Sequence, residues 1–591
     1  MFIVDFEPIG RRGTCQRSQT LLDCARSLNV DIVSICGGVG SCGRCKVQIV
    51  YGKVSNLSPE EEGELTAEEL SAGYRLACQV YPESDVKVHV PSESLTAPQR
   101  TQVEGLHLDV EPDPMIAWED VDLPKPDLTH PLADDSNLWR MLGFQSGRMD
   151  YVLLQNFSRR MRELEWKFRV AMRGDEVIAL SQQGRRFLGF AVDIGTTKIA
   201  GYLLELENGR TLSAKGVMNP QIAYGEDIVA RIAVAARSVE DAKKMQYLLV
   251  EALNKLAADL CEEINADTTD IVDAVFVCNT AIHHLFLCLP VSQLGLSPYI
   301  PSMRAAMDIK AREIGLKFAP GAYMHLPPNV AGYVGADHVA MLLAVGIAQT
   351  EKITLAIDIG TNTEICLNNR GKLSSLSAAS GPAFEGAHIK YGMRAAPGAI
   401  EHVRMCGDVL EIQTIGGESP AGLCGSGLLD VVAQMRMNNV IDKNGKMNSH
   451  PRIRREGMAE FVVAERPGKE PITISQKDIR ELQLAKAAIR LGIQALIEAE
   501  GLLEDDIDLV YIAGAFGTFI DISSAITIGM LPSLPLSRFV QVGNAAGTGA
   551  RLILISKTLR SEAQKIAWED GYIELASVKN FHRQFANALY L

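Results

Sequence analysis

Over the first ninety positions, apolar residues come in short alternating runs. Phe2-Ile3-Val4, Lys46-Val47-Gln48-Ile49-Val50 and Val86-Lys87-Val88-His89-Val90 read as strands, the last with strict period two. The spacing turns helical over 20–28. Residues 59–70 read as acidic helix with Ser58 as its cap, serving either as a solvated face or as a surface that recruits or repels partners. Residues 1–91 are therefore expected to form a small β-rich domain. From 92 to 130, Pro98, Pro112, Pro114, Pro124 and Pro126 interrupt a charged stretch, which is linker composition: a swinging arm or a passive spacer. Residues 131–185 mix helical and strand patterns without visible chemistry, as in a small α/β module that packs on its neighbours or mediates dimerisation. From 186 to 591 strand-like runs end in Gly-rich polar turns and alternate with helical stretches, the pattern of sheets covered by helices.

Length changes the picture only by requiring several cores, since 591 residues exceed what one can hold. A net charge of −14 argues against nucleic acid or an anionic membrane as partner, because both need basic surface. The start lacks a basic segment followed by a long apolar one, and no apolar run reaches the ~18 residues of a membrane span. The twelve cysteines show no secreted-type framework, so reduced thiols in the cytoplasm are expected, and an oxygen-sensitive centre would suit an anaerobe.

Four of those cysteines carry chemistry. Cys36-Gly-Gly-Val-Gly-Ser-Cys42-Gly-Arg-Cys45, with Cys78 well downstream, is a close triplet plus one distant thiol. That is the ferredoxin arrangement for a 2Fe–2S cluster, and the five-residue first gap resembles the adrenodoxin-like branch. The glycines let the loop wrap tightly and turn N–H groups toward sulfur. A zinc site would show two close pairs, and the loop has no histidine. Zinc and ordinary buried thiols stand as competing readings. Cys24, in the apolar-periodic Leu21-Leu22-Asp23-Cys24-Ala25, reads as helix core.

Two nearly identical segments stand 165 residues apart: Phe190-Ala191-Val192-Asp193-Ile194-Gly195-Thr196-Thr197-Lys198 and Leu355-Ala356-Ile357-Asp358-Ile359-Gly360-Thr361-Asn362-Thr363-Glu364. Each is an apolar strand, an Asp, a Gly-Thr turn and a second strand. Gly brings backbone N–H groups close to phosphate oxygens, hydroxyls add hydrogen bonds, and Asp holds Mg²⁺, usually through water. One copy is a common strand end; two imply related halves clasping one nucleotide. A third segment, Val510-Tyr511-Ile512-Ala513-Gly514-Ala515-Phe516-Gly517, offers small residues against which adenine can lie; alone it would read as a tight strand-to-helix turn.

These three segments resemble the phosphate and adenosine motifs of the acetate kinase, sugar kinase, Hsp70 and actin superfamily, over residues 186–591. With the front module, the chain resembles the reductive activators of corrinoid proteins. The ordered segments Asn219-Pro220-Gln221, Tyr224-Gly225-Glu226-Asp227, Asn279-Thr280-Ala281-Ile282-His283-His284, Pro328-Asn329-Val330-Ala331-Gly332, Ser380-Gly381-Pro382-Ala383-Phe384-Glu385-Gly386, Gly425-Ser426-Gly427 and Val542-Gly543-Asn544-Ala545-Ala546-Gly547 look like that family too. The resemblance implies a multidomain α/β chain: β-grasp ferredoxin (1–91), linker (92–130), middle domain (131–185) and two-lobed actin-like ATPase (186–591). It implies one-electron transfer from a 2Fe–2S cluster to an inactive cob(II)alamin protein, coupled to ATP and Mg²⁺, an external electron donor, and a homodimer.

Within that frame the metal ligands are Cys36, Cys42, Cys45 and Cys78. Asp193 and Asp358 contact metal and phosphate. Gly195, Thr196, Thr197, Lys198, Gly360, Thr361, Asn362, Thr363, Gly514, Ala515 and Gly517 hold the nucleotide. Glu226 and Asp227 either position the attacking water or supply charge at a helix N-terminus. His283 and His284 are either corrinoid ligands or buried hydrogen-bonding histidines. Residues 380–386 are placed as partner-facing. A cluster near about −400 mV faces an uphill step to cobalt(I). At about 59 mV per 1.4 kcal/mol, a few kcal/mol of state-dependent binding shifts the balance by a few hundred millivolts or less. Two other classes fit the motifs: a small-molecule kinase with a regulatory cluster, and a nucleotide-sensing redox adaptor without turnover.

Overall fold

The alternating run Phe2–Glu7 buries Val4 and Phe6 by pairing antiparallel with Arg11–Cys15 and parallel with Val86–His89. Lys46–Tyr51 and Tyr74–Leu76 complete a five-stranded sheet in the order Arg11–Cys15, Phe2–Glu7, Val86–His89, Lys46–Tyr51, Tyr74–Leu76. This computed structural model describes residues 1–7, 11–28, 45–91, 110–129, 131–225, 227–386, 388–455 and 457–591, with residues 30, 32, 40, 43 and 94. The helix Leu21–Ser27 starts where the Thr20 hydroxyl accepts from Asp23 N and the Asp23 carboxylate accepts from Thr20 N. Such a reciprocal cap contributes about 1 kcal/mol. The helix lays Leu21, Leu22, Cys24 and Ala25 on the sheet, with Cys15 next to Cys24 at a Cα separation of 5.7 Å. Residues 59–70 form two helices, Pro59–Glu64 and Ala67–Ser71, not one. Ser58 caps the first as expected, but Leu65 is extended and Thr66 opens a second capping box. Glu61 faces inward, buried, and is held by Arg75 at 2.7 Å.

The stretch expected to be linker contains a strand. Ile116–Asp122 pairs along its whole length with Lys167–Arg173, at the edge of a sheet ordered Ile116–Asp122, Lys167–Arg173, Glu176–Gln182, Arg148–Met149. Its prolines flank the strand at 112, 114, 124 and 126, where missing N–H donors and fixed φ cost nothing. Helices Asp134–Met141 and Tyr151–Glu163 cover the sheet, packing Leu138, Trp139, Phe157 and Met161 on Phe168 and Val170.

The remainder is two lobes built alike. The first sheet runs Thr211–Met218, Lys198–Glu205, Leu188–Ile194, Ile271–Cys278, Tyr323–Leu326, Met307–Lys310; the second runs Phe539–Gly543, Leu509–Ala513, Thr354–Ile359, Thr363–Asn369, Lys372–Ala378, Gly571–Tyr572. In each, three antiparallel strands in sequence are followed by a parallel neighbour on the first of them: Ile271–Cys278 beside Leu188–Ile194, and Leu509–Ala513 beside Thr354–Ile359. Helices cover both faces, so Ile271–Cys278 is buried at all eight positions. The long helices Val239–Glu263 and Gln476–Ala499 lie on the first and second lobes respectively. Ala545–Ile555 crosses back to pack on Ala336–Ala344 of the first lobe so closely that a Cβ on Gly549 would sit 2.0 Å from the Ala340 carbonyl oxygen. Among the described residues, no helix is long and apolar enough to cross a membrane.

Candidate functional site

The duplicated segments form the same device twice. Leu188–Ile194 turns through Gly195, Thr196 and Thr197 into Lys198–Glu205; Thr354–Ile359 turns through Gly360, Thr361 and Asn362 into Thr363–Asn369. The parallel neighbour places Asp193 beside Val277 and Asp358 beside Ala513. The lobes bring the two turns face to face across a cleft, with the Thr197 and Thr361 hydroxyls 3.5 Å apart. The Glu385 carboxylate bridges them, accepting from Thr197 at 2.8 Å and from Thr361. Asn279 donates to the Thr196 hydroxyl at 3.1 Å, and Asn544 donates to Asp193 at 2.9 Å. Gly514 closes against the second Asp: with φ near +91°, a Cβ there would meet Asp358 Oδ1 at 2.5 Å. Phe516 stacks on Phe384 at 4.5 Å between ring centres, and both line the cleft with Phe519 and Ile415.

Electrostatics sharpen the site. Burial pushes Asp193 up to about 6, moderated by the Asn544 hydrogen bond, and pushes Asp358 up to about 7, with the Asp193 charge adding to it. Asp337 and Glu364 also line the cleft, and burial followed by neighbouring carboxylates drives both upward. Carboxyls line the cleft, Asp193, Asp337, Asp358 and Glu364 among them, and carboxylate oxygen is the hard donor that Mg²⁺ takes, usually through water. Gly-Thr turns from both lobes supply the N–H and hydroxyl donors that phosphate oxygens need. The residues present therefore fit a metal-bound nucleotide.

Gly195, Thr196, Thr197, Lys198, Gly360, Thr361, Asn362 and Gly514 line the cleft with Asp193 and Asp358. Thr363 lies behind its wall, its hydroxyl 2.9 Å from that of Ser380. Ala515 and Gly517 belong to the short helix Gly514–Gly517; Gly517 is not part of the lining and makes room for Ile512. Asp227 caps helix Ile228–Ala235, accepting from Ala230 N at 2.7 Å, and is not part of the lining. Of its two readings, the geometry matches helix capping; Glu226 lies outside the described residues. His283 and His284 are buried: His284 bonds the Thr280 carbonyl at 2.7 Å and accepts from Ser302 N at 2.9 Å, and burial lowers both pKa values. That is the buried hydrogen-bonding reading.

In the front domain, Cys45 and Cys78 place their sulfurs 3.4 Å apart, while Cys36 and Cys42 lie outside the described residues. Gly40 and Gly43 both have positive φ, +93° and +58°, as a loop wrapped around sulfur ligands requires. A close thiol pair, with a Gly-rich segment leading into Cys45, fits an iron–sulfur centre.

Sequence reading missed Asp337, Glu364, Asn279, Glu385, Asn544 and Arg394. Asn279, Glu385 and Asn544 sit in segments quoted for their family likeness, but nothing in those segments says which side chain turns into the cleft. Residues 380–386, placed as partner-facing, instead put Phe384 and Glu385 into it. Glu364 ends the second quoted segment, one position beyond Thr363, and pairs with Asp358 across the hairpin.

A duplicated two-lobed fold with facing phosphate turns defines a nucleotide-dependent ATPase class, here with a ferredoxin module in front. Family models match the chain in that order: the 2Fe-2S iron-sulfur cluster binding domain over residues 5–83, the RACo linker region over 105–186, the RACo middle region over 188–350, and the C-terminal domain of RACo, the ASKHA domain, over 352–591. The chain is 33% identical over 579 residues to the corrinoid activation enzyme RamQ of Eubacterium limosum, covering 95% of this chain and 94% of that protein. It is 26% identical over 411 residues to the [Co(II) methylated amine-specific corrinoid protein] reductase of Methanosarcina barkeri, covering 64% and 72%. A solved reductive activator for corrinoid, iron-sulfur protein superposes with a TM-score of 0.74 at 34% identity, covering 100% of this chain and 98% of that one. The chain belongs to this family of corrinoid-protein activators: a multidomain α/β protein with a 2Fe–2S ferredoxin domain and an ATP-dependent C-terminal domain taking a divalent metal.

Proposed function

We propose that this chain is an ATP-dependent reductive activator that passes one electron from its 2Fe–2S domain to an inactive cob(II)alamin protein, restoring the cobalt(I) state used in methyl transfer. The observation that carries the reading is the pair of phosphate turns bridged by Glu385 in a chain that also presents the Cys45–Cys78 thiol pair. The cluster would be held by Cys36, Cys42, Cys45 and Cys78 and supplies a one-electron reductant. Mg–ATP would be held by Gly195, Thr196, Thr197, Gly360, Thr361 and Asn362, with Asp193, Asp337, Asp358 and Glu364 available to the metal's oxygen shell. Burial raises both Asp193 and Asp358, so a cation entering the cleft favours their charged forms. Each lobe contributes one turn, so nucleotide is best held when the lobes close on it. Lobe closure changes the surface offered to the corrinoid partner, and different affinity for its two cobalt states is the route by which binding shifts the reduction. An external protein supplies the electrons. The working form is a cytoplasmic homodimer, on the likeness to family members and the reduced-thiol pattern.

The test mixes anaerobically purified protein with a cob(II)alamin methyltransferase protein, a chemical reductant and ATP while following the visible spectrum. The expected result is ATP-dependent loss of the cobalt(II) band and growth of the cobalt(I) band, abolished by Cys42→Ala and by Asp358→Ala. No spectral change across a panel of corrinoid proteins, with cluster and nucleotide both bound, would overturn the reading in favour of a kinase or a passive adaptor.

A further inference from the structure

The iron–sulfur domain rests on the mouth of the cleft and touches both lobes. Its strand Val86–His89 packs on Pro220–Tyr224 of the first lobe. Its Arg11 reaches the second lobe, donating to the Ala421 carbonyl at 2.9 Å and lying over Gly422, where a Cβ would meet its Nη2 at 2.5 Å. At the centre is Arg394, buried and part of the cleft lining. It donates to Glu7 of the iron–sulfur domain at 2.9 Å and lies 3.6 Å from Glu385, the carboxylate that bridges both phosphate-turn threonines. One guanidinium is thus shared between a carboxylate of the electron-carrying domain and the carboxylate that occupies the phosphate donors.

Arg231 stands behind this pair. It is fully buried; its Nε donates to the Gly225 carbonyl at 2.8 Å, and its two terminal nitrogens have no hydrogen-bond partner among the described residues. Glu385, Glu7 and Asp227 all act on it electrostatically, while burial pulls its pKa down to about 10. Phosphate oxygens at Thr197 and Thr361 would bring several negative charges to where Glu385 now sits. They repel Glu385 and attract Arg394, a cation in the cleft wall beside Glu385, because guanidinium pairs with phosphate by two parallel hydrogen bonds.

Resting on the nucleotide reading of the cleft, we propose that Arg394 binds nucleotide phosphate and gives up Glu7 in doing so, so that nucleotide binding undocks the iron–sulfur domain from the cleft mouth. The undocked domain is then free to carry its electron to a partner. Linkage makes the coupling reciprocal: whatever loosens the domain must tighten nucleotide binding by the same factor.

The test uses the full-length, cluster-loaded protein with Mg²⁺ and a non-hydrolysable ATP analogue, without any corrinoid protein. Amide hydrogen exchange is read over 2–7, 86–89 and 385–394, and analogue affinity by calorimetry. In the wild type the analogue should speed exchange over 2–7 and 86–89 and slow it over 385–394. Glu7→Gln, which removes the charge and keeps the shape, should exchange fast there without analogue and bind the analogue about fivefold more tightly, within the usual range of site-to-site coupling. Arg394→Met should bind at least tenfold more weakly and lose the exchange response. Bound analogue with unchanged exchange over 2–7 in the wild type would overturn the proposal, as would Arg394→Met with wild-type affinity or no analogue binding at all. The wild-type exchange decides even if a variant fails to fold. Because no corrinoid is present, failed cobalt reduction with a positive exchange response removes the activator reading and leaves this coupling standing.

Discussion

The two phosphate turns are copies in backbone and unlike in electrostatics. In the first lobe Asp193 is held by Asn544, from the start of a helix three hundred and fifty-one positions downstream, and its pKa stays near 6. In the second lobe Asp358 faces the backbone at Gly514, feels the Asp193 charge, and rises to about 7. The threonines differ as well: Thr196 receives Asn279, while Thr361 and Thr197 share Glu385. Duplication preserved the geometry that phosphate requires, namely a glycine turn at the end of an apolar strand. The side chains arriving from elsewhere then gave one aspartate a hydrogen-bond donor, Asn544, and left the other beside a like charge that raises it further.

The largest effect should come from removing either half of the clasp. Asp193→Ala and Asp358→Ala should each lower ATP turnover on the order of 100-fold, as loss of one preorganised charge contact does. Phosphate release measures it, and a large loss in only one variant would mean that the halves do not act together. Next, Asn544→Ala removes the donor that keeps Asp193 low. A hydrogen bond to a charged group is worth about 1.5–3 kcal/mol, so Asp193 should rise by about one pH unit or more. The acid limb of the pH profile of kcat/KM for Mg–ATP should move up accordingly, and an unmoved limb would assign it to another group.

The same asymmetry should appear in stability. Asp193 and Asp358 carry folded-state pKa values above the ordinary aspartate value, so the folded cleft binds more protons than the unfolded chain between about pH 4 and 7. Their contribution is present at low pH and is lost as pH rises through the folded values. In buffer without divalent metal or nucleotide, Asp358→Asn should raise Tm at pH 8 but not at pH 4, and Asp193→Asn should raise it less because Asn544 already supports the charge. Calorimetry of the three proteins at the two pH values decides the ranking. The smallest effect belongs to the hydroxyls: Thr197→Val or Thr361→Val leaves Glu385 one threonine partner and should raise KM for ATP about fivefold, the cost of roughly one neutral hydrogen bond.

Much of this was legible along the chain, for identifiable reasons. Strict alternation at 86–90 and helical spacing at 20–28 are local signals, and both elements formed where the pattern placed them. The turns at Gly195 and Gly360 were legible because a phosphate-binding turn is itself local: strand, acid, glycine, hydroxyl. The prolines around Ile116–Asp122 hid a strand, since composition averaged over a window cannot tell whether prolines break an element or bound it. Residues 59–70 hid a break, because Thr66 reads equally well as helix interior and as a new cap.

What the sequence determined by itself was the repertoire: four thiols spaced for a cluster, two copies of a phosphate turn, a third small-residue turn, and their order along one chain. Apart from the distant Cys78, each of these signals is carried by residues within a few positions of one another. The tertiary structure alone decided which side chains surround those turns. Asp337, Glu385, Asn544 and Arg394 reach the cleft from separate elements, and Glu7 reaches Arg394 across 387 positions. Burial, which raises the carboxyls and makes one arginine worth sharing between two glutamates, exists only once the lobes and the front domain pack together; no window of sequence contains it.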